Sequence, residues 1–250
     1  MYTLVTGATS GIGREIAIHL SQTRPVIVSG RNPEKTQAVL AECSSKFKHL
    51  EFVFDLRNSD TIASELSNFL IQNQIEVAEL IYCAGEPNSG PIRLADYSSV
   101  LQTMNVNVLS ALQIVKILAS AKYNKNKFSN SIFISSIWSI RGGSGQVVYS
   151  ASKAALDGSM RALAMEFAGK TRFNSIQLGA IISPMAEAVI SDTELHNGLI
   201  NAYPTGLGKP SDVIGAIDFL LSDSSSWLIG QEIVIDGGRT IDATTRRIKI

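Results

Sequence analysis

Tyr149 and Lys153 stand four residues apart in the run Gln146-Val-Val-Tyr-Ser-Ala-Ser-Lys-Ala-Ala-Leu156. Behind them Ala155, Leu156, Met160, Leu163, Ala164 and Phe167 recur at helical spacing, which puts phenol and ammonium on one face near a helix start. A cation beside a phenol favours the phenolate and draws down a pKa that is ordinarily about 10. A Tyr so placed can exchange a proton with a carbonyl or an alcohol near neutral pH. The same two residues also suit an ordinary, partly exposed helix. What surrounds them has to decide.

The surrounding pattern is a strict alternation of strand and helix. Tyr2 to Thr6 is a short β-rich run that breaks at Gly7-Ala-Thr-Ser-Gly-Ile-Gly13 and continues as a helix through Leu20. Further strands are expected at 25–29, 52–54, 80–82, 131–135, 173–178 and 232–235, with helices at about 33–45, 61–72, 95–121, behind Tyr149, and at 211–222. Such an order predicts an α/β fold: a doubly wound, mostly parallel sheet of about seven strands, covered by helices on both faces. No Pro/Gly/Ser-rich linker, internal repeat or low-complexity stretch divides the chain, so residues 1–250 are expected to form one domain, with 239–250 as a C-terminal tail.

Glycines at 7, 11 and 13, following a strand and opening a helix, let backbone approach a pyrophosphate at the positive helix end. The intervening Thr9, Ser10 and Ile12 belong to the same cradle. Past the second strand the run is Ser29-Gly30-Arg31-Asn32. Gly30 offers no carboxylate for the adenosine ribose, whereas Arg31 can fork onto a 2′-phosphate, so NADP(H) is expected over NAD(H).

Composition narrows the remaining classes. Lys plus Arg equals Asp plus Glu at 22 each, so no global charge points to nucleic acid or an anionic membrane. The basic run at Arg246-Arg-Ile-Lys249 reads as a solvated tail. Cys43 and Cys83 have no metal or disulfide spacing, no metal is expected, and no apolar run approaches a membrane span. The expected setting is soluble and cytoplasmic.

Taken together these residues resemble the short-chain dehydrogenase/reductase family over essentially the whole chain. The glycine pattern is that family's Thr-Gly-x-x-x-Gly-x-Gly, Tyr149-x-x-x-Lys153 matches its catalytic pair, and Ser136 lies thirteen residues before Tyr149. Asn107 in Met104-Asn-Val-Asn-Val108 falls at its fourth catalytic position, and Ile235-Asp-Gly-Gly238 and Leu207-Gly-Lys-Pro-Ser-Asp212 match its C-terminal third. The resemblance implies Tyr149 as acid/base, with Lys153 lowering its pKa and bonding the nicotinamide ribose. Ser136 would donate to the substrate oxygen, and Asn107 would hold a water in a proton relay. It further implies cofactor contacts from Asp55 and Leu56, from the backbone of Ala84 and Gly85, and from Ile181 and Ser183. The family pairs subunits through the long helix and the Tyr149 helix, so a homotetramer or homodimer is expected.

Two departures stand out. The family's Asn-Ala-Gly is Cys83-Ala84-Gly85 here, which makes Cys83 an expected buried packing residue, and its Pro-Gly is Leu178-Gly179. An apolar substrate pocket is expected around Trp138, Val148 and Gly179, with Ile140 and Leu178 nearby and a lid at about 186–205. The leading function is NADPH-dependent reduction of a carbonyl to an alcohol, or the reverse. A catalytically silent NADP-binding regulatory protein is the alternative outside enzymes, and a 3-oxoacyl-carrier-protein reductase-like activity the alternative within them. The last lacks an Arg pair in the lid to hold a phosphopantetheine. An enoyl reductase would carry Lys seven residues after the Tyr, where Leu156 stands.

Overall fold

A computed structural model describes residues 1–183 and 198–242. The first half alternates β1 (Tyr2–Thr6), α1 (Gly11–Ser21), β2 (Val26–Gly30), α2 (Pro33–Glu42), β3 (Leu50–Val53), α3 (Ile62–Asn73) and β4 (Val77–Tyr82). A long helical stretch follows as α4 (Tyr97–Met104), a π turn (Asn105–Leu109) and α5 (Ser110–Leu118), with a short α6 (Ala121–Asn124) after it. The second half runs β5 (Asn130–Ser136), α7 (Val147–Glu166), β6 (Arg172–Leu178), α8 (Ile214–Leu221) and β7 (Glu232–Ile235).

Among the described residues the seven strands form one sheet in the order β3-β2-β1-β4-β5-β6-β7, every neighbouring pair parallel. The strands are runs of β-branched and aromatic residues, and β5 is buried at every position, as a sheet covered on both faces requires. One core packs Leu4, Leu80, Tyr82, Phe133 and Phe173 under Ile62 and Leu66 of α3, Ala111 and Ile114 of α5, and Leu156 and Met160 of α7. The other packs Val5, Val28, Ile81, Ile132 and Ile176 against Ile16 and Leu20 of α1, Val39 of α2, and Ile217 and Leu220 of α8. The chain winds outward from β1 to β3, then crosses to β4 and winds the other way. The crevice beyond the carboxyl ends of β1 and β4 is therefore the switch point, where such sheets bind ligands.

The helix expected at 95–121 is interrupted. Asp96 caps it by accepting the Ser99 N–H at 3.0 Å, the π turn breaks its regularity, and the α5 segment stops at Leu118. The helix expected from Ser211 opens with a 3₁₀ turn at Pro210–Val213 before α8. Most of the lid expected at 186–205 lies outside the described residues, as does the tail beyond Asp242.

Candidate active site

Strand β1 delivers the chain into a turn that only glycine fits comfortably. Gly7 has φ +63°, and a Cβ there would come within 2.9 Å of the Ala84 Cα. A Cβ on Gly13 would lie 2.4 Å from the Gly7 carbonyl oxygen, which is how α1 packs so closely on the loop. Ser10 takes the N-cap position without a side-chain capping bond, and no acidic residue occupies the first turn. The helix therefore presents its positive end uncompensated, as an anion site needs.

Over this turn lies a cavity of about 520 Å³. Gly7, Thr9, Ser10, Gly11, Ile12 and Gly13 line one wall; Arg31 enters from beyond β2, Asp55 and Leu56 from beyond β3, Ala84 and Gly85 from beyond β4, and Ser183 from beyond β6. An elongated dinucleotide fits this arrangement: a cradle that side chains would fill, a free helix start and a cation at the β2 end. Four expected cofactor residues are not on this wall: Tyr149 and Lys153, which belong to the cluster at the end of β5, and Asn32 and Ile181. Asn32 caps α2, its Oδ1 accepting the Lys35 N–H at 2.8 Å, and is not on the cavity wall. Ile181 bridges to Gly208 and lines a separate cavity of about 250 Å³ with Gly179 and Asp236.

The same wall includes residues that the pattern reading passed over: Phe54, Arg57, Cys83, Glu86, Pro87 and Val106. Arg57 and Glu86 form an ion pair at 2.7 Å, and Gln102 Nε2 donates to both Glu86 carboxylate oxygens at 2.9 Å. Both charges sit just past strand ends, the position that could have flagged them. Asp55 accepts the Arg57 N–H at 3.0 Å, so it closes its own turn, while the N-cap of α3 is Thr61.

The four expected catalytic side chains are brought to the carboxyl ends of β4 and β5. Ser136 ends β5, with its Oγ accepting the Trp138 N–H at 3.2 Å. Helix α7 sets Tyr149 one turn before Lys153, and the Ser136 hydroxyl is near enough to the Tyr149 phenol to draw its pKa down. Lys153 Nζ donates to the Ile134 carbonyl at 2.9 Å and is 3% exposed. Asn107 comes from the π turn, a local widening often found at functional sites. Its Oδ1 accepts the Glu86 N–H at 2.7 Å, while its Nδ2 donates to the Glu86 carbonyl at 3.1 Å and to Ser152 Oγ at 2.8 Å. A Cβ on Gly85 would lie 3.3 Å from Lys153 Nζ and 3.7 Å from Asn107 Oδ1, so these two side chains converge behind Gly85.

The electrostatics correct one expectation. Burial raises the Tyr149 pKa above its usual value, and the nearby Ser136 hydroxyl only partly opposes this. Lys153, 5.8 Å from the ring centroid, is not among the groups that draw the phenol down. The ammonium itself is lowered to about 8, chiefly by burial, with Asp157 and then Cys83 acting in the opposite direction. Cys83 is half-buried on the cavity wall instead of sealed in the core, and burial pushes its thiol up to about 12, which leaves it unreactive. Across the ends of β1 and β4, Thr6 Oγ1 accepts the Ala84 N–H at 3.2 Å.

Trp138, Val148 and Gly179 do not share one pocket among the described residues. The Trp138 ring covers Gly143, where a Cβ would approach it to 2.6 Å. Val148 faces a cavity of about 320 Å³ beneath the loop containing Ser89 and Pro91. Gly179 is pressed against Asp236 and Tyr203, and the Tyr203 hydroxyl accepts the Ala180 N–H at 2.8 Å. The loops after β4 and β5 are latched by Gly90 N–H to the Gly145 carbonyl at 2.8 Å and by Gln146 to Ser89 at 3.0 Å. Among the described residues no His, Cys, Asp and Glu gather as a metal-ligand group, and no helix is long and apolar enough to cross a membrane.

The family described as "Enoyl-(Acyl carrier protein) reductase" matches residues 7–240. A 3-oxoacyl-[acyl-carrier-protein] reductase of Rickettsia bellii is 33% identical over 240 residues, covering 94% of this chain and 95% of the relative. The chain belongs to the short-chain dehydrogenase/reductase family. It is an oxidoreductase of that family by the same comparisons. An L-xylulose reductase of Caenorhabditis elegans is 29% identical, covering 94% of each chain. Among solved structures, a 4-hydroxyisoleucine dehydrogenase complexed with NADH superposes with TM-score 0.88 at 25% identity, covering 96% of this chain and 99% of that one. A gluconate 5-dehydrogenase from Burkholderia cenocepacia J2315, in complex with NADP and tartrate, has TM-score 0.87 at 22% identity, with 97% and 96% covered, and shares the fold.

Proposed function

We propose that this oxidoreductase reduces a carbonyl to an alcohol with NADPH, Tyr149 giving the proton. The observation that carries the reading is the gathering of Ser136, Tyr149 and buried Lys153 where β5 meets α7, with Lys153 directly behind Gly85 of the glycine-walled cavity. NADPH, when bound, supplies the hydride. The Ser136 hydroxyl holds the carbonyl oxygen and stabilises charge developing on it. Tyr149, kept protonated by burial, donates to that oxygen as it becomes an alkoxide. The Lys153 ammonium then faces the phenolate that remains, and the Ile134 carbonyl fixes its position. Asn107 orders the Glu86 backbone and Ser152 around it.

Arg31 on the cavity wall, with no carboxylate at Gly30, supports NADPH over NADH. Relatives named as 3-oxoacyl reductases favour a β-keto substrate as a second reading. Against a carrier-bound acyl group, residues 186–205 contain neither Arg nor Lys to meet a phosphopantetheine phosphate. The apolar face of Tyr97, Leu101 and Leu109, exposed on the single chain, suits pairing of copies into a dimer or tetramer in the cytoplasm. NADPH oxidation over a panel of ketones, aldehydes and 3-oxoacyl thioesters tests the assignment. Turnover of at least one carbonyl at 1 s⁻¹ or above, roughly the lower end of ordinary enzymes, is expected; a protein that binds NADPH and turns over none of them is the regulatory alternative.

A further inference from the structure

We propose that Asp157 is a positioning residue for proton transfer: its buried carboxylate keeps Lys153 charged and clamps α7 onto the ends of β5 and β6. Asp157 lies one turn beyond Lys153 on α7 and is 2% exposed. Its Oδ2 accepts from Ser135 Oγ and from Gln177 Nε2, both at 2.9 Å, while Oδ1 has no partner among the described residues. Neutral donors alone are a poor return for burying a carboxylate, so a counter-charge is called for. Lys153, one turn earlier on α7 and 3% exposed, supplies that charge from beyond direct ion-pair distance.

The contacts of α7 fall on three consecutive residues of β5. Lys153 bonds the Ile134 carbonyl, Asp157 takes the Ser135 hydroxyl, and Tyr149 meets Ser136. Gln177 carries the link onward to Glu232 of β7 at 2.6 Å, and Arg161 closes it by pairing with Glu232. Asp157 is thus the central tie between the helix that carries Tyr149 and Lys153 and the strand that carries Ser136.

The groups facing Lys153 are few. From its own helix come Tyr149 and Asp157; from the end of β4 comes Cys83, a protonated thiol; from the π turn comes the neutral amide of Asn107. Facing Asp157 from β7 is Glu232, already engaged by Arg161 and Gln177. Burial works against the Lys153 ammonium, and Asp157 is the largest influence in its favour. Removing the carboxylate therefore lowers the lysine pKa further, and the ammonium is lost at lower pH.

The inference rests on the carbonyl-reductase reading, and its test separates the two. In the cofactor-free protein the ¹³Cε signal of Lys153, identified by its absence in Lys153→Met, is titrated with and without Asp157→Asn. A downward shift of about one pH unit is expected in the Asn variant. The alkaline limb of kcat for carbonyl reduction should move down by a similar amount, with the NADPH Kd within twofold. An unmoved Lys153 titration overturns the inference even if carbonyls are reduced. A shifted titration with no carbonyl turned over leaves it standing and removes only the assigned reaction. Should the Asn variant not fold, Asp157→Ser is titrated in its place, with the same downward shift of the Lys153 signal expected and an unmoved titration overturning the proposal.

Discussion

In the proposed reaction Tyr149 would meet its substrate with the proton in place, because burial disfavours the phenolate more than the nearby Ser136 hydroxyl favours it. Under that proposal Ser136 would recognise the carbonyl oxygen, so Ser136→Ala should lower kcat by roughly 10²–10³, the loss typical of one oxyanion donor, measured at saturating NADPH. Lys153 gives a second expectation, readable without substrate. Its pKa falls from 10.5 to about 8 on folding, so between those values the unfolded chain binds more protons. Its contribution to stability is lowest below about pH 8 and rises toward pH 10.5. Denaturant midpoints of native protein minus Lys153→Met should therefore climb across that window, and a flat difference would contradict the buried placement. The sequence showed this cluster clearly, since Tyr149, Lys153 and Ser136 stand at the separations that the family resemblance implies. It did not show the direction of the Tyr149 shift, which depends on how deeply α7 is buried against β5.

At the scale of elements, the glycine turn and the π turn do the positioning. Gly13 has no room for a side chain, with the Gly7 carbonyl 2.4 Å from any added Cβ. Gly13→Ala should cost about 1–3 kcal/mol of stability and weaken NADPH binding at least tenfold, read by denaturation and by fluorescence titration. The turn was legible because strand, glycines and helix follow in order. The π turn was not: Asn105–Leu109 has ordinary helical composition, and its distortion comes from tertiary contacts, with Asn107 held by Glu86 and Ser152 and Ser110 by the Leu56 carbonyl. Glu86 and Arg57 escaped notice for a similar reason. Neither matches the resemblance, and only the parallel alignment of β3 and β4 sets them across one cleft.

The whole molecule couples the site to both cores, since the strands that end at the cavity are buried on both faces by helices. A ligand held by five strand ends should stabilise the fold as a unit: NADPH at 100 times its Kd adds about 2.7 kcal/mol and raises the Tm in one cooperative transition. NADH at equal concentration should raise it less, and Arg31→Ala should bring the two together. The doubly wound parallel sheet followed from alternation, whereas the substrate side did not, because Trp138, Val148 and Gly179 come from separate loops whose packing no local pattern dictates. The central claim is that one phenol carries the proton. It is tested most directly by single-turnover carbonyl reduction in native protein and Tyr149→Phe, with NADPH affinity measured in both. The expected result is a rate loss of roughly 10²–10⁴ with the NADPH Kd within twofold; a Phe variant that reduces the carbonyl at near-native rate would contradict the account.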